Sequence, residues 1–115
     1  MKNYSTLISF FHEGVGETLA VARAIRPFIE GLLRTHFPGH FSDSEWLGDF
    51  IKKIRDAEDD SGLFHAKQDL EEIESINDYS KKFHHDQNPN ADSELINHDE
   101  LQGFTRRTIA LVGGI

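Results

Sequence analysis

The chain has 115 residues, a formal net charge of −8, an apolar fraction of 37% and no cysteine. That length suits one domain; the missing thiols exclude disulfides and cysteine metal sites and suit a reducing cytoplasm. The surplus of negative charge weighs against nonspecific nucleic-acid binding, and no apolar run approaches membrane-spanning length.

Residues 1–16 read as a lead-in segment, with "LISFF" forming a short helix or strand and "GVG" breaking it. The stretch is too short and too interrupted by polar residues for a secretion signal. "GVGET" lacks the Gly-Lys-Ser/Thr ending of a phosphate loop, so no nucleotide cofactor is expected. A long helix follows over Glu17–His36, where Leu19, Ala22, Ile25, Ile29, Leu32, Leu33 and Phe37 recur at spacings of three and four. Pro27 inside it removes a backbone donor and predicts a kink, and Pro38–Gly39 stops it.

Ser42 with Glu45 forms a capping-box pattern for a second helix, whose apolar face is Trp46, Leu47, Phe50, Ile51 and Ile54. A third helix is expected over Leu63–Tyr79, with Phe64, Leu70, Ile73, Ile76 and Tyr79 inward. A polar loop around Pro89 leads to a fourth over Asp99–Val112, started by Asn97 and Glu100 and buried through Leu101, Phe104, Ile109, Leu111 and Val112. No segment alternates like a strand, so the expected fold is all-α, a four-helix bundle-like domain over residues 17–115.

Two clusters could carry chemistry. Arg26 and Glu30 share a helix face. They form either a surface ion pair or, since Ile25 and Ile29 flank them, a partly buried phosphate clamp. Asn77, Ser80, His84 and His85 lie where the third helix ends. They read as a polar terminus matched to the helix dipole, or as an acid–base site, because histidine titrates near neutrality. "HHD" and "HFPGH" offer metal-ligand residue types, but Pro-Gly spoils the one-face geometry of His36 and His40, and no metal is expected.

The segments "RAIRPFIEGLLRTHFPGHF", "WLGDFIKKIRDA", "LEEIESINDYSKKFHHDQNP" and "RRTIALVGG" resemble, in that order, the C-terminal helical region of ABC-type AAA-superfamily ATPases of the PrrC/RloC anticodon-nuclease group. The resemblance runs from about residue 17 onward. It implies a HEPN-like domain that cleaves RNA through an Arg, a Glu and a His. Carried over, Arg26 and Glu30 match Arg-x-x-x-Glu, and His84 is the candidate histidine, with His85 and His65 as alternatives. Asn77 resembles the polar residue of the HEPN motif, but Ile76 stands where that motif usually has Arg. No Walker or signature motif of the ATPase half is present.

Two functions follow from the resemblance. One is a metal-independent endoribonuclease acting on RNA such as tRNA. In it His84 moves the proton, Arg26 clamps the phosphate, Glu30 orients Arg26 or acts as base, Asn77 completes the site, and Lys81, Lys82 and His85 hold the strand. The other is a non-catalytic interaction or regulatory module of an ATPase domain or subunit. A homodimer is expected in either case, because HEPN-like domains often pair across a shared cleft.

Overall fold

Helix α2, Thr18–His36, is the spine of the molecule. Its apolar stripe places Val21, Ala22, Ile25, Phe28, Ile29 and Leu33 in the core. The Glu17 carboxylate caps it, accepting from the Leu19 and Ala20 amides at 3.2 and 2.9 Å. The Phe37 amide closes its last turn on the Leu33 carbonyl, and Gly39 then turns the chain at φ +87°. Pro27 lies inside α2 and the helix continues on both sides of it. The ring removes the donor that would otherwise meet the Arg23 carbonyl.

The computed structural model describes residues 2–114, most of them helical, with no strand among them. The lead-in segment is helix α1, Lys2–Glu13. Leu7 and Phe10 from it are fully buried against α2 and the C-terminal helix. Gly14, at φ +68°, makes the turn out of α1. Helix α3 is Leu47–Asp56, α4 is Leu70–Ser80 and α5 is His98–Gly114. Helix α2 packs against each of the other four, and α3 also packs on α4. Phe50, Ile54, Ile73, Ile76, Phe83 and Leu101 complete the buried core. Among the described residues no helix is long and apolar enough to cross a membrane.

Several local expectations shift. Ser42 and Glu45 do bond, Ser42 N–H to Glu45 Oε1 at 2.8 Å, but in a turn ahead of the helix. Helix α3 starts at Leu47, and its cap is the Asp49 carboxylate accepting from the Trp46 amide at 3.0 Å. Glu45 is drawn into the turn by Lys53, whose Nζ lies 2.8 Å from Oε1. The expected third helix divides: Phe64–Asp69 is a 3-10 stretch, α4 follows, and Lys81–Phe83 is another 3-10 turn. Phe64 and Val112 are 45% and 41% exposed, because both fall near helix ends where no neighbouring element covers them. The Asn97 cap holds, with its Oδ1 accepting from the Glu100 amide at 2.9 Å.

Candidate functional site

Because Arg26 follows Ile25 on the core-facing stripe of α2, its side chain is carried inward, and only 6% of the residue is exposed. A buried guanidinium needs an anion. The partner is Asp86, in the loop after α4. Nη1 and Nη2 donate to its two carboxylate oxygens at 2.9 Å each, in the fork geometry that arginine favours. These hydrogen bonds hold the Asp86 carboxyl below the usual carboxylate range. The Arg26 Cζ also lies 4.6 Å from the ring centroid of Trp46, a cation–π contact. Its Nε has no partner. The expected ion pair between Arg26 and Glu30 is not formed: Asp86 has taken both terminal nitrogens of the arginine.

One turn earlier on the same helix, Arg23 Nε donates to the Phe83 carbonyl at 2.8 Å, and its guanidinium pairs with Asp92. The two arginines therefore grip the 83–92 loop on either side of His84. Phe83, fully buried, anchors the loop to the core. His84 follows it inward. Its Nε2 is buried with no hydrogen-bond partner among the described residues. Burial, reinforced by the Arg26 charge, pulls its pKa down to about 4, so the imidazole is neutral at pH 7.

Glu30, one turn after Arg26, is 5% exposed. Burial raises its pKa, while the Leu47 backbone and the charges of Arg26 and Arg34 pull the other way. Its Oε2 has no partner. Asn77, from α4, shares with Arg26, Trp46, Gly48, Asp49 and Gln87 a cavity of about 140 Å³. Its backbone carbonyl accepts from Ser80 Oγ and the Lys81 amide. Its side-chain amide makes no hydrogen bond to another described residue.

Arg26 is thus the hub. It lines the cavity with Asn77, and its charge acts on both Glu30 and His84. Lys81, Lys82 and His85 lie outside the lining of that cavity. Lys81 pairs with Asp78 at 3.2 Å, Lys82 sits over the Tyr79 ring at 4.9 Å, and His85 Nε2 lies 3.1 Å from Asp92. His65 is on the 3-10 stretch, paired with Gln68. Among the described residues no three metal-ligating side chains converge in a group that could hold an ion. Sequence reading missed Asp86 as the arginine's partner and Trp46 as a half-exposed ring beside it.

Comparison with protein-family models, with curated proteins and with solved structures yields no match.

Proposed function

We propose that the chain is a HEPN-like RNA-cleaving domain of the kind that its sequence resemblance to the anticodon-nuclease ATPases implies. One observation carries the reading. Segments far apart in sequence bring Glu30, Asn77 and His84 near the Arg26 guanidinium, Asn77 through the shared cavity and the other two through its charge, and leave Glu30 Oε2 and His84 Nε2 buried with no partner among the described residues. A buried polar atom left unpaired costs about 1–3 kcal/mol, a cost that a bound substrate group would remove. Perturbed titratable groups gathered near one buried guanidinium support a site for chemistry.

In this reading the ribose 2′-OH attacks the adjacent phosphorus. The new O2′–P bond forms, the P–O5′ bond breaks, and the products are a 2′,3′-cyclic phosphate and a 5′-OH. Neutral His84 accepts the 2′-OH proton and returns it to the departing 5′ oxygen, which leaves as the 5′-OH. With a pKa of about 4 it is a weak base while the site is closed. A phosphate arriving at Arg26 brings negative charge that strengthens it. Arg26 exchanges Asp86 for the phosphate and stabilises the charge of the phosphorane. Glu30, which makes no ion pair with Arg26 while Asp86 holds it, orients the arginine once Asp86 has let go or acts as base, and Lys81, Lys82 and His85 hold the strand outside the site. No metal is required, since the nucleophile is internal to the RNA. Two copies sharing one cleft would unite two such sites, and light scattering at high concentration tests that pairing.

The test is cleavage of structured RNA, tRNA included, in chelator, with the termini of the products identified. His84→Ala and Arg26→Ala should each lower the rate by about 10²–10⁴-fold. Cleavage unchanged in both variants would assign the activity elsewhere.

A second reading, a non-catalytic interaction or regulatory module of an AAA/ABC-type ATPase, is favoured by two observations. Both terminal nitrogens of Arg26 are already occupied by Asp86, and Ile76, where the HEPN motif has Arg, is fully buried. An inert wild type, with and without an ATPase partner, would select it.

A further inference from the structure

The cavity beside Arg26 is poorly suited to a phosphate alone. Asp86 neutralises the arginine and Asp49 adds a further carboxylate to the lining. It is well suited to a flat, neutral ligand rich in hydrogen-bonding groups. At about 140 Å³ it is smaller than the usual drug-sized pocket, room for one ring system. Its walls are an indole and two amides. Trp46 is 51% exposed although Arg26 covers part of its ring. An exposed tryptophan braced by a guanidinium is a stacking platform of the kind that single-stranded nucleic acid uses.

The polar groups are equally specific. The Asn77 side-chain amide is unengaged, and such an amide can donate and accept at once along a base edge. Asp49 uses one oxygen, Oδ2, to cap the Trp46 amide. Its other oxygen is an acceptor suited to an amino group. Gln87 donates through Nε2 to Asp86 at 3.2 Å, which leaves its carbonyl oxygen as a further acceptor. An unpaired base with an exocyclic amine satisfies this set. Uracil and thymine, which lack one, do not.

We propose that this cavity is a recognition pocket for one unpaired nucleobase bearing an exocyclic amine, within a single-stranded stretch of RNA. It deepens the RNA-cleaving reading and rests on it: a base anchored here fixes which phosphate meets Arg26. The assignment also gives Asn77 a base-reading role.

Binding can be measured apart from cleavage. Trp46 is the sole tryptophan, so intrinsic fluorescence reports on this cavity directly. The probes are short single-stranded oligomers of deoxyadenosine, deoxycytidine and thymidine, in chelator. They lack the 2′-OH and cannot be cut by the proposed chemistry, so the result does not depend on activity. Saturable quenching by the adenine and cytosine oligomers, with thymidine markedly weaker, is the expected result. Asn77→Ala should weaken the adenine oligomer by about five- to hundredfold. Gly48→Leu supplies a second, independent variant. Outside its chain neighbours and its own helix backbone, no described heavy atom lies within 4 Å of the position its Cβ would take, so the chain can fold while the new side chain crowds the cavity lining. Binding should then be lost. Equal quenching by thymidine would overturn the amine readout, and absent quenching, or quenching unchanged by Gly48→Leu, would overturn the pocket. RNA cleavage that fails while oligomer binding persists would overturn the catalytic reading alone.

Discussion

Arg26 and Asp86, sixty residues apart in sequence, meet through two parallel hydrogen bonds of 2.9 Å. The arginine is buried, while the Asp86 side chain is 32% exposed. Removing the carboxylate leaves a buried charge without its partner. Asp86→Ala should therefore cost about 2–4 kcal/mol, below the extreme for a fully enclosed pair. Combining it with Arg26→Met should recover much of that loss, since an apolar replacement of both partners removes the stranded charge. Urea unfolding of the two variants beside the wild type checks both statements.

Acid should weaken the fold in two stages. His84 has a folded pKa of about 4, below its ordinary 6.5, so the unfolded chain binds its proton first. Stability is full above the unfolded value and falls as pH drops from about 6.5 towards 4. Asp86, held below its ordinary 3.8, adds a further loss as pH falls beneath that value through its folded pKa. His84→Asn should flatten the first stage and leave the second. Denaturant midpoints taken at intervals between pH 7.5 and 3 distinguish the two.

Glu30 runs the other way. Burial raises its pKa, so its ionised form is held at a cost at neutral pH, and protonation stabilises the fold as pH falls through the raised value. Glu30→Gln removes the buried charge with little change of shape. It should raise stability at pH 7 by about 1 kcal/mol and abolish the proposed RNA cleavage, the exchange expected where a site trades stability for chemistry. Thermal unfolding and the cleavage assay, run on the same preparation, check it.

Lys81 and Lys82 lie outside the cavity, and in the proposed RNA-cleaving reading they contact the phosphate chain. The double variant Lys81→Ala, Lys82→Ala should weaken all single strands alike and reduce the slope of log affinity against log salt by about 1.4. Base preference should not change. A salt titration of fluorescence quenching measures both.

The helical frame was legible because its apolar spacing is regular: Ile25, Ile29 and Leu33 on α2, and Ile73 and Ile76 on α4, lie where the period puts them. The start of α3 was misread because two acidic residues, Glu45 and Asp49, each sit three positions after a possible cap. Only the pull of Lys53 on Glu45 separates them. Asp86 escaped notice for a different reason. A loop of His, Asp, Gln and Asn looks solvated in sequence, and no local pattern ties it to a residue sixty positions earlier. The available hint lay in Arg26 itself: an arginine between Ile25 and Ile29 is carried inward and must find an acid. Nothing local marked Trp46 as exposed, since it sits at the first position of an apolar pattern.

Arg23 and Arg26 stand one turn apart on a rigid helix and hold the loop at Phe83, Asp86 and Asp92. Within the loop the Gln87 and Asn88 amides both donate to the His84 carbonyl at 3.0 Å. A segment fastened this way has no cheap partial release. Freeing His84 means breaking the grip of both arginines together, so the loop opens as one cooperative unit. The amides of Gln87 and Asn88 should then exchange with deuterium at a single common rate, and in the proposed reading that opening rate sets the ceiling on how often a strand enters and leaves.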